Sequence, residues 1–284
     1  MAATPHTLDI PGGRLHYEVR GSGPLVLLMG APMDAGAFAG LAEALAADRT
    51  VVTHDPRGVS GSVLDDPHQD STPDLRADDV AALLDALGAA SADVFGSSGG
   101  AVTGLALAAR HPGRVRTLVA HEPPLLELLP EAAEQRAATE RIIETFHTQG
   151  PGAAWGAFMA YADPEQHGAA PQPAPEPVAD PAADPAPAPD EPSLQDLANT
   201  EHFFAHELRG TTRYVPDTAA LRAGPHRVVV GVGADSGALL THRTSAALAA
   251  LLGVAPVEFP GDHAGFLAAP DEFAAALRSA FEGA

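Results

Sequence analysis

The 284-residue chain contains no cysteine, which excludes disulfides, thiolate metal sites, iron–sulfur clusters and cysteine nucleophiles. It also contains no lysine: all 16 basic residues are arginine, set against 37 acidic ones for a formal net charge of −21. A surface of that sign repels phosphate backbones and anionic lipid, so neither nucleic acid nor a membrane is an expected partner. No apolar stretch reaches the roughly 18 residues of a spanning helix. The start, "MAATPHTLDIPGG", lacks the basic residues and apolar run of a leader. These absences predict a soluble, cytoplasmic protein, with homo-oligomerisation left open. Aromatic residues are scarce at 5%, yet a hydrophobic content of 45% is ample for one core carrying an inserted lobe.

Strand-like apolar runs alternate with helical patterns at short intervals, as in a sheet covered by crossover helices. The runs are Leu15–Arg20, Leu25–Gly30, Thr50–Asp55, Ala92–Gly96 and Val115–His121, then Arg227–Gly233 and the stretch "PVEFPGDH". Most are continuously apolar, as parallel strands buried on both faces should be. Helices are predicted over Ala37–Ala47, Pro73–Leu87, Gly100–Arg110, Ala238–Leu252 and Pro270–Phe281, with Ser71 or Thr72 capping the second. Residues 122–217 interrupt this alternation with helical pieces, Glu131–Gln149 and Leu194–Arg209, and no convincing strand. Within them, residues 164–192 hold ten of the 27 prolines and no arginine, a composition that predicts a mobile loop. The expected organisation is therefore a core of residues 1–121 and 218–284 with a helical cap at 122–217.

The stretch "DVFGSSGGAV" places two serines between glycines at the end of a strand. Only one frame reads G-x-S-x-G, namely Gly96, Ser97, Ser98, Gly99, Gly100, so Ser98 is the candidate nucleophile. The motif allows a turn tight enough to project the serine hydroxyl at the strand's C-terminal end, with a helix N-terminus beneath it. A serine hydroxyl is a weak nucleophile and needs a base and a group that orients the base. "GVGADSG" and "PGDHAGF" supply them: Asp235 follows one predicted strand and His263 the next. In that constellation His263 is the base and Asp235 its orienting acid. Glu122, after an earlier strand, and Asp262, next to the histidine, are the rivals for the acid.

With "LLMGAPMDAGAF", "DPRGVSGS", "GSSGG", "GADSG" and "GDHAGF" in this order, the sequence resembles the α/β-hydrolase superfamily over nearly its whole length outside the Pro-rich loop. The likeness is to its capped esterase- and lactonase-type members. It implies an α/β fold with a mostly parallel sheet, no metal or organic cofactor, and an oxyanion hole made by the backbone N–H groups of Gly99 and Ala31. Many members have His-Gly where this chain has Met29-Gly30; the glycine is kept. The implied reaction is hydrolysis of an ester, lactone or thioester of a small, largely apolar molecule through an acyl-enzyme on Ser98. The alternatives are hydrolysis of a carbon–carbon bond next to a ketone, and a ligand-binding protein without turnover.

Other side chains have simpler readings. Arg57 in "DPRGVSGS" is read as tying elements together rather than binding substrate. His202 and His206 stand four apart, as metal ligands do, but no third ligand is evident. Met33, Phe158 and Phe203 are expected in the substrate pocket, with Trp155, Met159 and Tyr161 packing in the same lobe.

Overall fold

A computed structural model of the chain describes residues 3–163, 192–237 and 239–283. The strands are β1 (Thr4–Ile10), β2 (Gly13–Gly21), β3 (Leu25–Met29), β4 (Thr50–His54), β5 (Val63–Leu64), β6 (Ala92–Ser97), β7 (Val115–His121), β8 (Arg227–Gly233) and β9 (Val257–Phe259). They form one sheet in the order β1-β2-β4-β3-β6-β7-β8-β9, with β5 paired to β2. From β4 to β9 every pairing is parallel, while β1, β2 and β5 make the antiparallel edge. β1 escaped the sequence reading because Pro5 and a mostly exposed surface weaken its pattern. An edge strand tolerates both.

The helices of the first part are α1 (Ala39–Leu45), α2 (Pro73–Ala86) and α3 (Gly99–Arg110). Among the described residues, those between β7 and β8 are α4 (Ala132–Gln149), α5 (Pro151–Ala162), α6 (Leu194–His202), α7 (Leu208–Thr212) and α8 (Thr218–Ala223); α9 (Leu240–Leu252), α10 (Gly265–Ala268) and α11 (Pro270–Glu282) follow. Thr72 caps α2 by accepting the Leu75 N–H at 3.2 Å, and Pro73 occupies its first turn, where no amide partner is required. The predicted helix Leu194–Arg209 is broken by a π-helical turn over Phe203–Glu207. The loop expected at 164–192 falls, up to residue 191, outside the described residues.

Alternation along each central strand sends neighbours to opposite faces. Leu27 and Met29 of β3 join α2, α3 and α9 in one core layer, whereas Val26 and Leu28 join α1, α10 and α11 in the other. A third cluster, with Ile142, Ile143, Phe203, Phe204 and Leu208, holds the helices between β7 and β8 together. Among the described residues, that segment contains no strand. Its helices stand over the C-terminal ends of the parallel strands, where an open α/β sheet offers its crevice.

Candidate active site

Ser98 is the single residue between β6 and α3, with φ 56° and ψ −122°. A non-glycine residue keeps that backbone only when its surroundings over-determine it. Here the Ser98 N–H donates to the His121 carbonyl at 2.9 Å and the Ser98 carbonyl accepts from Ala101 N–H at 3.0 Å. The flanking glycines permit the turn sterically. A Cβ on Gly96 would lie 2.5 Å from the Gly100 carbonyl oxygen, and one on Gly100 would run into the Met29 carbonyl.

Beside this elbow the chain of β3 turns away through Ala31, and a Cβ on Gly99 would lie 2.7 Å from the Ala31 carbonyl oxygen. Among the described residues, neither the Ala31 nor the Gly99 N–H has a hydrogen-bond acceptor. Two free amides next to a strained serine, one of them opening the helix α3, can together receive a negative oxygen.

His263 lies past β9, and its Nδ1 stands 2.7 Å from Glu122 Oε2. A carboxylate only accepts, so the proton of this bond sits on Nδ1 and Nε2 is left as a base. Glu122 is fully buried at the end of β7 and completely engaged. Gly233 N–H donates to Oε1 at 2.9 Å and the Thr241 hydroxyl to Oε2 at 2.9 Å. Burial by itself would raise its pKa. The hydrogen bond from His263, and the positive charge that ring can take up, outweigh burial and hold the carboxyl at about 2.

Asp235, expected in that place, does not reach His263. It sits exposed in the turn after β8, its N–H bonded to the Gly261 carbonyl at 3.0 Å and its carboxylate without a partner among the described residues. The reason is topological. β7 ends at His121, opposite Gly231, whereas β8 runs two residues further to Gly233, so Glu122 comes to lie beside Gly233 and meets His263, while Asp235 follows in an exposed turn. Asp262 is spent on its own turn, accepting the Ala264 N–H at 2.8 Å. His121, one residue before Glu122, has neither ring nitrogen bonded within the protein; burial pushes its pKa down to about 4, so it packs as a neutral ring against Phe95, Phe259 and Phe273.

Ser98, His263, Gly99 and Ala31 line one cavity of about 420 Å³. Met33, Phe158 and Phe203, named from sequence, line it too. Trp155 stacks on Phe203 with ring centroids 5.3 Å apart, and Phe158 meets Phe203 edge-on at 5.4 Å. Thr241, which also lines the cavity, carries no motif that would have marked it. Phe203→Ala should enlarge the cavity and move the preferred acyl chain length upward. A change in the ratio of kcat/KM for octanoyl over butanoyl esters of about tenfold is the expected size; an unchanged ratio would remove Phe203 from the substrate wall.

The remaining candidates stand apart from this cavity. Arg57 is 2% exposed and gripped by Asp79 of α2 through two bonds of 2.7 Å. His202 is buried over Gly58, with its pKa lowered to about 4 chiefly by burial, and His206 faces Asp70 at 3.2 Å. Among the described residues, no group of three or more potential ligands is arranged to hold a metal ion, and no helix is long and apolar enough to cross a membrane.

Known proteins share this fold. Residues 23–210 match the family model described as alpha/beta hydrolase fold. The uncharacterized hydrolase YraK of Bacillus subtilis (strain 168) is 33% identical over 287 aligned positions, covering 99% of this chain and 97% of its own. Among solved structures, a thermophilic esterase from Thermogutta terrifontis superposes with a TM-score of 0.71 at 22% identity, covering 100% of this chain and 99% of its own. The enol-lactonase from Burkholderia xenovorans LB400 does so with 0.69 at 21%, covering 98% and 100%. Family match, full-length relative and sheet order agree: the chain belongs to the alpha/beta hydrolase fold family.

Proposed function

We propose that the protein is a serine hydrolase that cleaves a carboxylic ester or lactone of a small, largely apolar molecule through an acyl-enzyme on Ser98. The observation that carries this reading is the strained Ser98 in the same apolar cavity as a histidine whose Nδ1 is held by a buried carboxylate. His263 Nε2 takes the Ser98 proton as Oγ attacks the carbonyl carbon. The N–H groups of Gly99 and Ala31 receive the oxyanion, and Glu122 stabilises the imidazolium. Collapse breaks the carbonyl–oxygen bond and His263 returns the proton to the leaving oxygen. For a lactone that oxygen stays on the acyl chain, and the product is a hydroxy acid. Water, deprotonated by His263, then releases the acyl group. The names of the esterase and the enol-lactonase with the same fold support this range of substrates.

A fluorophosphonate should add once per chain, on Ser98 by peptide mapping. The adduct should be absent from Ser98→Ala and form far more slowly in His263→Ala. The same wild-type preparation should turn over p-nitrophenyl butanoate steadily, beyond one equivalent. A folded protein that takes no label and releases no more than a stoichiometric burst would refute the reading in favour of a binding protein.

A further inference from the structure

Glu122 answers His263 from a side chain one methylene longer than aspartate, and the torsion that turns its carboxylate plane has no sharp rotamer of its own. Neighbouring donors must therefore set that plane. Gly233 N–H holds Oε1 at 2.9 Å, and the Thr241 hydroxyl donates to Oε2, likewise at 2.9 Å. Oε2 is also the oxygen that meets His263 Nδ1 at 2.7 Å, so two donors converge on the atom that orients the base. Thr241 Oγ1 in turn stands 3.5 Å from Nδ1, which closes a triangle of hydroxyl, carboxylate and ring.

The place of Thr241 in its helix explains why the hydroxyl is available. Inside a helix a threonine or serine hydroxyl bonds back to the carbonyl four residues earlier, as Thr212 does to Leu208 and Ser245 does to Thr241 itself, both at 2.8 Å. Thr241 is the second residue of α9, where no carbonyl of its own helix lies four residues back, and its hydroxyl reaches across to the end of β7 instead. Three residues on, the Thr244 hydroxyl donates to the Pro123 carbonyl at 2.6 Å, so the first turn of α9 grips Glu122 and Pro123 together. Glu122 is fully buried. An oxygen that loses a donor there is costly, and the carboxylate gains by turning toward another.

Resting on the serine-hydrolase reading, we propose that Thr241 is a positioning residue: its hydroxyl locks the Glu122 carboxylate plane, so that Oε2 stays on His263 Nδ1 while the ring takes and returns the Ser98 proton. The residue lines the cavity, but it acts through Glu122 and not on the substrate. Its bond counts most when the ring is an imidazolium, because the carboxylate must then face Nδ1 to stabilise the charge. The loss on removing it therefore falls on kcat and spares KM.

The test measures p-nitrophenyl butanoate hydrolysis in Thr241→Val and Thr241→Ser, with Thr241→Val made in the Glu122→Gln background as well. Thr241→Val, which keeps the shape and removes the hydroxyl, should lower kcat by at least about tenfold with KM changed by less than about threefold. Thr241→Ser, which keeps the hydroxyl, should stay within about threefold of wild type. In the Glu122→Gln background the valine should cost no more than about twofold further, because the group it acts through is gone. A smaller loss of kcat in Thr241→Val overturns the proposal. So does a loss in Thr241→Ser as large as in Thr241→Val, which would make the contribution one of packing. An undiminished valine effect in the Glu122→Gln background does the same, since Thr241 would then act on the substrate or the fold directly. Should Thr241→Val not fold, Thr241→Ala is held to the same limits. A wild type that turns over no ester sinks the serine-hydrolase reading and this inference with it, whereas the other adverse outcomes leave that reading standing.

Discussion

Glu122→Gln is expected to lower kcat by about 10³- to 10⁴-fold, while Asp235→Asn leaves it within about twofold. The argument follows from what each atom of the carboxylate does. Oε1 accepts from Gly233 N–H, so in the variant the amide oxygen takes that place and the NH₂ group faces His263 Nδ1. Nδ1 must then accept, the ring proton moves to Nε2, and that nitrogen can no longer receive the Ser98 proton in the proposed reaction. Thr241 does not resist the change, because its hydroxyl can rotate from donor to acceptor. Asp235 has no such bond to lose. Steady-state kinetics on one activated ester, with circular dichroism to verify folding, is sufficient. A large loss in Asp235→Asn with little in Glu122→Gln would reverse the assignment.

Asp79→Ala should destabilise the protein by about 3–5 kcal/mol, because it leaves Arg57 as a buried cation with Gln69 alone, at 3.3 Å, to receive it. For a chain of this size that corresponds to a fall in Tm on the order of 10 °C. Replacing both members by apolar residues, Arg57→Met with Asp79→Leu, should recover much of the loss, since no unpaired charge remains. Neither residue lines the cavity, so kcat below the transition should change by no more than about twofold. Urea melts of the three variants measure the cycle. A cost below about 1 kcal/mol for Asp79→Ala would mean that water reaches the guanidinium and that the pair does not hold the loop after β4 to α2.

The parallel centre of the sheet was legible because each of its strands is apolar on both faces, and the elbow because Gly96 and Gly100 meet backbone that tolerates no Cβ. The acid was not. Glu122 and Asp235 each follow a strand, and the offset between the ends of β7 and β8, which no residue pattern records, decides which one His263 meets. The π-turn at Phe203–Glu207 was hidden for a different reason. It shifts the face a helix presents by part of a turn, and single-residue propensities hold no record of that. A charged residue flanked by Phe203, Phe204 and Leu208 was the one available sign that Glu207 faces inward.

The turn at Glu122 carries one more implication, for exchange of whole segments. Glu122 has φ 49° and runs directly into Pro123 and Pro124, the stem from which all the helices between β7 and β8 depart. Its N–H is tied to the Gly231 carbonyl at 3.1 Å, and the Pro123 carbonyl to the Thr244 hydroxyl at 2.6 Å. The chain therefore leaves the sheet through a clamped bracket that also holds the group oriented on His263. Grafts between relatives must splice beyond Leu125, which is fully buried, rather than at the end of the strand. On that side of the seam, the helices can vary in length and shape while the bond between Glu122 and His263 is inherited intact.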